Sequence, residues 1–413
     1  MKRLDMDAEV LIIGGGIAGL WCGRELARRG IGSVIVEKAP HLGGHVADFA
    51  CKATRGCQRC GACLLEDAME SVTSSSHIKV MTRTELTRVS GVGKRFETTL
   101  FRRPKRVHVE GTDNASALLD LCPNPPALIQ SPFDRGLDID EKHCLFFVDG
   151  SCKECLDRLP SGSVDLETAA VEVPVTASAV VAACGFKVFD PHEKPRFGYG
   201  RVSNVLTAHE LESLLRYDEF GLNGRSEGPG SVAFIQCVGS RDVRIGRNYC
   251  SRVCCGYALR LARLLRYKYP GTESSIFFMD IQTFERNFET RFREARDEVR
   301  LVRGIPSEVK SGQDGRPVLV YTGADESRKE EAFDLVVLSV GMSPDPAVTA
   351  LGRQLGMGVN GEGFLGSDLD DVATDAPGVF TAGAVQGPRS IEQTVSHAIR
   401  AAGSVAAYIS ARG

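Results

Sequence analysis

The sequence predicts an α/β fold in which one Rossmann-type domain is interrupted by a second α/β domain. Three observations support this prediction. A strand, a glycine-rich turn, a helix and a return strand occupy residues 9–37. A similar unit opens with the apolar run at Ser231, and a third glycine-rich turn lies near Gly383. Because the first and third turns are of the kind that build one site together, the first domain is predicted to be split across both ends of the chain.

The domain boundaries are predicted from changes in composition and periodicity. The first domain comprises residues 1–225 and 346–413, and the second comprises residues 228–345. Two cysteine-rich insertions with little periodicity, at about residues 51–65 and 102–165, interrupt the first domain.

Composition excludes several functions. The 413 residues are 43% hydrophobic and 25% charged, which is typical of a globular protein. A net charge of −3 gives no electrostatic case for binding nucleic acid. No run approaches the roughly 18 consecutive apolar residues of a transmembrane helix, and the N-terminus lacks the pattern of a signal peptide. We therefore expect a cytoplasmic protein without a membrane span, unless a partner holds it at a membrane.

The first glycine turn has the spacing of a dinucleotide site. Its G-x-G-x-x-G pattern follows a strand and opens a helix, so the glycines permit a tight turn, close approach of a pyrophosphate and close helix packing. The helix N-terminus offers unpaired N–H groups to phosphates. An acidic residue ends the next strand, where its carboxylate can accept hydrogen bonds from ribose hydroxyls. The predicted contacts are Gly14, Gly16, Ile17, Ala18, Gly19, Glu37 and Lys38.

Two further glycine loops favour FAD over NAD. Gly43-Gly44 forms a second close-approach loop typical of FAD domains, and the segment Gly378–Ala384 is the strand–turn–helix that approaches the flavin in such proteins. Packing of the loop around a flavin phosphate accounts for the neighbouring histidines better than metal binding does. The predicted contacts here are Gly43, Gly44, His45, Gly185, Gly383, Ala384 and Ile391.

Fourteen cysteines in a chain expected to be cytoplasmic indicate metal ligation, because disulfides are rare there and these cysteines are clustered. Three of the first group have the spacing of the first three ligands of a bacterial ferredoxin motif, and the fourth precedes them. Zinc and reduced structural thiols are the alternatives. A flavin nearby favours iron–sulfur, because a redox-inert ion would carry no electrons. The predicted ligands are Cys51, Cys57, Cys60 and Cys63.

A second cysteine group lies where a two-dinucleotide flavoprotein would bind NAD(P)H. Gln236 and Cys237 replace the glycine turn, and Cys250, Cys254 and Cys255 follow at the start of the next helix. We infer that an iron–sulfur cluster has replaced NAD(P)H as the electron partner. Buried core cysteines are the alternative. An NAD(P)H-dependent disulfide reductase is disfavoured because a second G-x-G-x-x-G is missing.

A third cysteine group is spaced more widely, and only Cys152-x-x-Cys155 has the spacing of a ligand pair. Cys122 and Cys144 lie far upstream. Whether these four bind a third cluster stays open at this point.

Several segments, which together cover most of the sequence, resemble the flavoprotein family of the heterodisulfide reductases. The similar chains in that family are the A subunits. The resemblance implies a thioredoxin-reductase-like flavoprotein with one FAD, and [4Fe-4S] clusters at the first and second cysteine groups. The matching segments are Gly14–Gly44, Cys51–Cys63, Gly185-Phe186, Phe189–Pro191, Gly198–Gly200, Gln236–Arg241, Tyr249–Ser251, Cys254-Cys255 and Gly383–Ile391.

The chain departs from the archaeal members because it lacks their regular four-cysteine ferredoxin motifs. Its size and shortened insertion resemble the corresponding flavoproteins of the quinone-interacting membrane-bound oxidoreductases of sulfate reducers. This implies electron transfer between a membrane quinol pool and adenylylsulfate reductase. The implied partners are two sister subunits, one with flavin and iron–sulfur clusters and one in the membrane. The alternatives are membership of a soluble thiol/disulfide or sulfur-oxidation complex, and a zinc-stabilised scaffold protein.

Overall fold

A computed structural model describes residues 6–50, 57, 60–91, 95–108, 112–133, 136–217, 228–282, 288–366 and 372–412. The strands are β1 (Met6–Ile13), β2 (Ser33–Val36), β3 (Ile78–Met81), β4 (Thr84–Ser90), β5 (Phe96–Arg102), β6 (Leu128–Gln130), β7 (Leu137–Ile139), β8 (Val171–Ala182), β9 (Lys187–Val188), β10 (Val205–Thr207), β11 (Ser231–Val238), β12 (Glu273–Phe278), β13 (Arg300–Arg303), β14 (Glu308–Ser311), β15 (Pro317–Thr322), β16 (Arg328–Ala332), β17 (Leu335–Val340), β18 (Met342–Ser343) and β19 (Val379–Thr381). The α-helices are α1 (Ile17–Ala27), α2 (Leu64–Thr73), α3 (Thr112–Leu121), α4 (Leu145–Val148), α5 (Glu154–Arg158), α6 (Ala208–Tyr217), α7 (Cys254–Lys268), α8 (Phe288–Ala295), α9 (Pro346–Gln354) and α10 (Ile391–Ser410).

The first domain is built on a sheet in the order β3-β2-β1-β8-β5-β4, and β19 also pairs with β8. The neighbours β3, β2, β1 and β8 are parallel, whereas β5 and β4 are antiparallel to their partners. The end of β1, Val10–Ile13, is buried on both faces, as expected for a central parallel strand. Val10 and Ile12 pack in the core beneath α1 and α10, and Leu11 and Ile13 pack on the opposite face.

The β8 strand joins the two ends of this domain. Its first half pairs with β5, and its last residues, Val180–Ala182, pair with β19. Helix α10 then packs against α1. Strand β19 and helix α10, from the end of the chain, thus pack against β8 and α1.

The second domain has five parallel strands in the order β10-β17-β11-β12-β13. Val232 and Phe234 of β11 face α6, α7 and α8, and Ala233 and Ile235 face the opposite core, to which the antiparallel sheet of β14, β15 and β16 contributes. The predicted α/β fold class is thus confirmed. Residues 205–207, which the predicted boundary at 225 placed with the first domain, form β10 and pair with β17 in this second sheet.

Between β5 and β8, the insertion forms a small unit with its own core. It contains the hairpin of β6 and β7 and the short helices α3, α4 and α5. Arg106 stabilises this unit. Its buried guanidinium donates hydrogen bonds to the Glu141 carboxylate and to the carbonyl oxygens of Asp165 and Thr168.

Candidate functional site

The turn between β1 and α1 has positions that only glycine can occupy. Gly14 has a φ of +110°, and a Cβ there would overlap the carbonyl oxygen of Ala183 at the end of β8. A Cβ on Gly19 would overlap the carbonyl oxygen of Gly14. The α1 helix consequently packs directly on the turn, with its first N–H groups at the carboxyl edge of the sheet.

The carboxylate of Glu37 reaches over this turn from the end of β2. Its Oε2 accepts a hydrogen bond from Gly15 N at 2.7 Å, and its Oε1 accepts from Ala39 N at 2.8 Å. The side chain is buried. The carboxylate is therefore held in one orientation beside the glycine turn, where ribose hydroxyls would be expected.

The second glycine loop contacts the first. Gly43 has a φ of +105°, donates its N–H to the carbonyl oxygen of Gly15 at 2.8 Å and forms an isolated parallel bridge with Gly16. A Cβ added to Gly44 would lie 3.2 Å from the Cα of Gly16. The two loops thus present adjacent backbone without intervening side chains, which suits close approach of a phosphate group.

The third loop, after β19, closes against the start of α1. Gly383 has a φ of +79°, and a Cβ there would lie 2.6 Å from the Cβ of Ala18. Gly383 N donates to Nδ1 of His397 at 3.0 Å within the core. Ser390 begins α10 with a capping box, in which it and Gln393 satisfy each other's backbone N–H groups.

His45 is placed at the same edge by Phe186, which follows β8. The two rings stack with centroids 4.5 Å apart, and His45 Nε2 lies 3.1 Å from the Phe186 carbonyl oxygen. Burial lowers the pKa of His45. The neutral ring therefore donates from Nε2 to this carbonyl. Gly185 precedes Phe186 with a φ of +70°.

The structure brings most of the predicted dinucleotide contacts to one edge of the sheet, at the carboxyl ends of β1, β2, β8 and β19. Two of the predicted contacts are more peripheral. The Lys38 side chain is 69% exposed and pairs with Asp345 at 3.9 Å. Ile391 faces the cysteine-rich segment, since a Cβ added to Gly61 would lie 3.1 Å from its Cγ2.

In the second domain, Cys237 lies at the carboxyl end of β11, where a dinucleotide domain has its glycine turn. Its φ is +58°, which is unusual for a residue with a side chain, and the pairing of β11 with β17 shifts register here. Gly239 follows with a φ of +80°, and a Cβ there would overlap the ring of Phe189. The backbone is thus bent so that the Cys237 thiol emerges at the edge of the sheet.

The other three thiols of this group come from the next loop and helix. Arg252 N donates to Cys250 Sγ at 3.2 Å, and Cys254 and Cys255 are the buried first residues of α7. Burial raises the pKa of Cys237 to about 12, and the neighbouring thiols act in the same direction. Burial also raises the pKa of Cys254, and the other three thiols add to this effect, so the four lie within electrostatic range of one another.

Four thiols are a soft donor set of the kind that suits iron–sulfur clusters and zinc. Among the residues that the structure describes, no group of three or more His, Cys, Asp or Glu side chains is placed to hold one metal ion. Gln236 precedes Cys237 and is buried, and neither its Nε2 nor its Oε1 has a hydrogen-bond partner. A buried amide without a partner is one that a bound group could satisfy.

The first cysteine group is described only in part. Cys51 lies outside the described residues, Cys57 and Cys63 are exposed, and Cys60 is half-buried. Cys63 immediately precedes α2. Cys60 lies near the Arg260 guanidinium of α7. Burial lowers the pKa of Arg260, but Glu212, Tyr257 and Cys60 together raise it above its ordinary value.

Sequence reasoning missed the ion pair that links this segment to the second domain. Glu212 of α6 and Arg260 of α7 are both buried and paired, and Glu212 Oε1 accepts from the backbone N–H of Ala50. The Arg260 guanidinium lies 4.8 Å from the Phe49 ring centroid. Glu212 could have been found, because it sits four residues after buried Ala208 on the apolar face of α6.

The chain has the two-domain fold of the thioredoxin reductases. The thioredoxin reductases of Lactococcus lactis and T. acidophilum superimpose with TM-scores of 0.53 at 14% and 15% identity. The matches cover 98% and 99% of this chain and 99% and 100% of those chains. A model of NAD(P)-binding Rossmann-like domains matches residues 12–66.

Sequence comparison finds relatives that match over nearly the whole chain. The chain is 33% identical to the A component of the ferredoxin:CoB-CoM heterodisulfide reductase of Methanosarcina mazei. It is 32% identical to the iron-sulfur A component of the CoB–CoM heterodisulfide reductase of Methanocaldococcus jannaschii. These matches cover 96% and 98% of this chain but only 52% and 64% of the relatives.

Over nearly its whole length the chain is therefore similar to the A components of heterodisulfide reductases, which are oxidoreductases. In the described part of the chain, no helix is long and apolar enough to cross a membrane.

Proposed function

We propose that this chain is an electron-transfer subunit that holds FAD and two [4Fe-4S] clusters within a multi-subunit oxidoreductase. The observation that carries the proposal is the position of Cys237. This thiol lies near the end of the strand at which a nicotinamide nucleotide would bind in the second domain, and three further thiols share its surroundings. A cluster there replaces a soluble hydride donor.

The flavin would be held by the three adjoining glycine loops. The turn at Gly14–Gly19 and the start of α1 would bind phosphate, Glu37 would accept from a ribose hydroxyl, and Gly383 would adjoin the isoalloxazine end. When bound, FAD supplies the exchange of electrons, while the protein orients it and tunes its potential. His45, neutral and fixed on Phe186, would line the edge of the site without adding charge.

The clusters would be held by two sets of thiolates. Cys237, Cys250, Cys254 and Cys255 form the set in the second domain. The other set is Cys51, Cys57, Cys60 and Cys63. The buried Arg260 places a positive charge near Cys60.

The physiological route we propose runs between a membrane quinol pool and adenylylsulfate reductase. The chain would be attached to the membrane through sister subunits, one carrying flavin and iron–sulfur clusters and one spanning the bilayer. The support for this route is the insertion between β5 and β8, which lacks the regular four-cysteine ferredoxin motifs. A soluble thiol/disulfide or sulfur-oxidation complex is the second candidate, favoured by the relatives that are named as heterodisulfide reductases.

Iron, acid-labile sulfide and flavin should be measured in the anaerobically purified chain. We expect at least about eight irons per flavin, since each [4Fe-4S] cluster contributes about four. The paired substitution Cys237→Ser/Cys255→Ser should remove about four irons and leave the flavin bound. Cys22→Ser is the matched control, because Cys22 is buried in the core beneath the first sheet. Zinc in place of iron, or rapid reduction of the flavin by NADPH in the isolated chain, would contradict the proposal.

A further inference from the structure

Two polar side chains occupy core positions at the carboxyl edge of the second domain's sheet. Gln236 of β11 is 1% exposed and Ser339 of β17 is 2% exposed. Within the described part of the chain, neither the Gln236 amide nor the Ser339 hydroxyl has a hydrogen-bond partner. Buried polar groups are nearly always satisfied, because an unpaired one has given up its hydrogen bonds to water for nothing in return. Two such groups on neighbouring strands therefore point to a bound group.

Both side chains lie on the face of the sheet that α7 covers. Side chains alternate between the two faces of a strand, so Gln236 lies on the same face as Phe234, and Ser339 on the same face as Val337. Phe234 and Val337 pack in one core with Cys255, the second residue of α7. Because α7 connects the parallel strands β11 and β12, its N-terminus lies at the carboxyl edge of the sheet. The two polar side chains are thus placed beside the first turn of α7.

A bulge in β11 sets the two side chains opposite each other. The pairing of β11 with β17 is regular up to Ile235 and resumes at Val238, so Ser339 lies opposite the two bulged residues, Gln236 and Cys237. Bulges are frequent beside functional sites, where they re-aim a side chain. Here the bulge places an amide, a hydroxyl and a thiol at one point of the sheet edge.

We propose that Gln236 and Ser339 donate hydrogen bonds to the sulfur atoms of the cluster at the second-domain thiols, and thereby raise its reduction potential. This role rests on the proposed function, which places a [4Fe-4S] cluster at these thiols. Reduction adds negative charge, so uncharged donors stabilise the reduced form more than the oxidised form. Hydrogen bonds to the sulfurs are among the features that set the potentials of such clusters. The N-terminus of α7 adds the positive end of its dipole at the same place.

The test is the midpoint potential of this cluster, followed by electron paramagnetic resonance in the anaerobically purified full chain. Its signal is identified as the one that disappears in Cys237→Ser/Cys255→Ser, which lacks two of the ligands. Gln236→Leu should shift the reduction equilibrium about tenfold toward the oxidised form, because one hydrogen bond to a charged group is lost. A tenfold change corresponds to about 59 mV for a one-electron centre. Ser339→Ala, the milder variant, should shift the potential in the same direction.

Ser274→Ala is the matched control for the loss of a buried hydroxyl. Ser274 is buried, and its hydroxyl also lacks a partner among the described residues. It lies near the start of β12, at the edge of the sheet away from the thiols, so the potential should stay unchanged. An equal shift in Ser274→Ala would overturn the proposal. An unchanged potential in both Gln236→Leu and Ser339→Ala would also overturn it, and would assign ordered water as the partner of these groups.

Iron content separates this proposal from the proposed function. If Cys237→Ser/Cys255→Ser loses about four irons while Gln236→Leu and Ser339→Ala keep the native potential, the hydrogen bonds are refuted and the cluster stands. If the cysteine variant loses no iron, both the cluster and its hydrogen bonds are refuted. If Gln236→Leu itself loses iron, the potential of Ser339→Ala decides.

Discussion

Removing the carboxylate of Glu212 should destabilise the second domain strongly. Glu212 is fully buried, and the side chain of its partner Arg260 is only 5% exposed. Glu212→Ala leaves the guanidinium buried without its counter-charge, which costs about 3–5 kcal/mol. The N–H of Ala50 also loses its acceptor. At about 2–4 °C per kcal/mol for a domain of this size, the Tm should fall by about 10 °C.

Calorimetry of the purified protein measures this shift. Glu330→Ala is the matched control, because Glu330 and Lys310 form an exposed ion pair of the same domain at 2.7 Å, and exposed pairs contribute about 0–1 kcal/mol. The double variant Glu212→Met/Arg260→Met should recover most of the lost stability, since apolar replacement of a buried pair is often neutral. A Tm for Glu212→Ala equal to that of Glu330→Ala, or no recovery in the double variant, would refute this reasoning.

Three further predictions concern single positions. Gly239→Ala should lower the free energy of unfolding by about 2–4 kcal/mol, because the new Cβ meets the buried ring of Phe189 and the backbone is left-handed there. Ser390→Ala should lower it by about 1 kcal/mol through loss of the capping box of α10, measured by thermal unfolding. The pKa of buried His45 lies below its ordinary 6.5, so its contribution to stability is full above pH 6.5 and declines as the pH falls below it. His45→Gln should flatten this part of a Tm-against-pH profile.

Each of these predictions has a control in the same chain. Gly246→Ala is left-handed like Gly239 but meets no atom within 4 Å, so it should cost only about 1–2 kcal/mol. Equal losses of unfolding free energy for Gly239→Ala and Gly246→Ala would show that the Phe189 ring moves aside without cost. Ser396→Ala, on the exposed face of α10, should leave the Tm unchanged. For His45, an acid slope that persists in the Gln variant would assign the effect to other groups, among them the nearby pair of His209 and Asp48.

The parts of the molecule that depend on local spacing could be predicted from the sequence. The first glycine turn and the position of Glu37 follow from residues that are near in sequence and obey the geometry of a strand–turn–helix unit. The division of the first domain into two parts stays a prediction, made because the third glycine turn near Gly383 needed a partner. The cluster ligands remain a prediction, since Cys51 lies outside the described residues.

Features that depend on contacts between residues far apart in the sequence could not be predicted from local spacing. Strand β10 is too short to show a pattern, and only its pairing with β17 assigns it to the second domain. Glu212 and Arg260 lie 48 residues apart, and nothing local indicates that they meet. The four thiols of the insertion are separated by a hairpin and short helices, so only the structure shows that they line one cavity.

The split of the first domain has a consequence for biosynthesis. The ribosome makes β1 before the second domain, and it makes β19 and α10 after that domain. Domains generally fold as units during translation. The second domain can therefore fold while the dinucleotide site still lacks its last wall. We expect flavin insertion to be a late event in maturation, completed when α10 docks against α1.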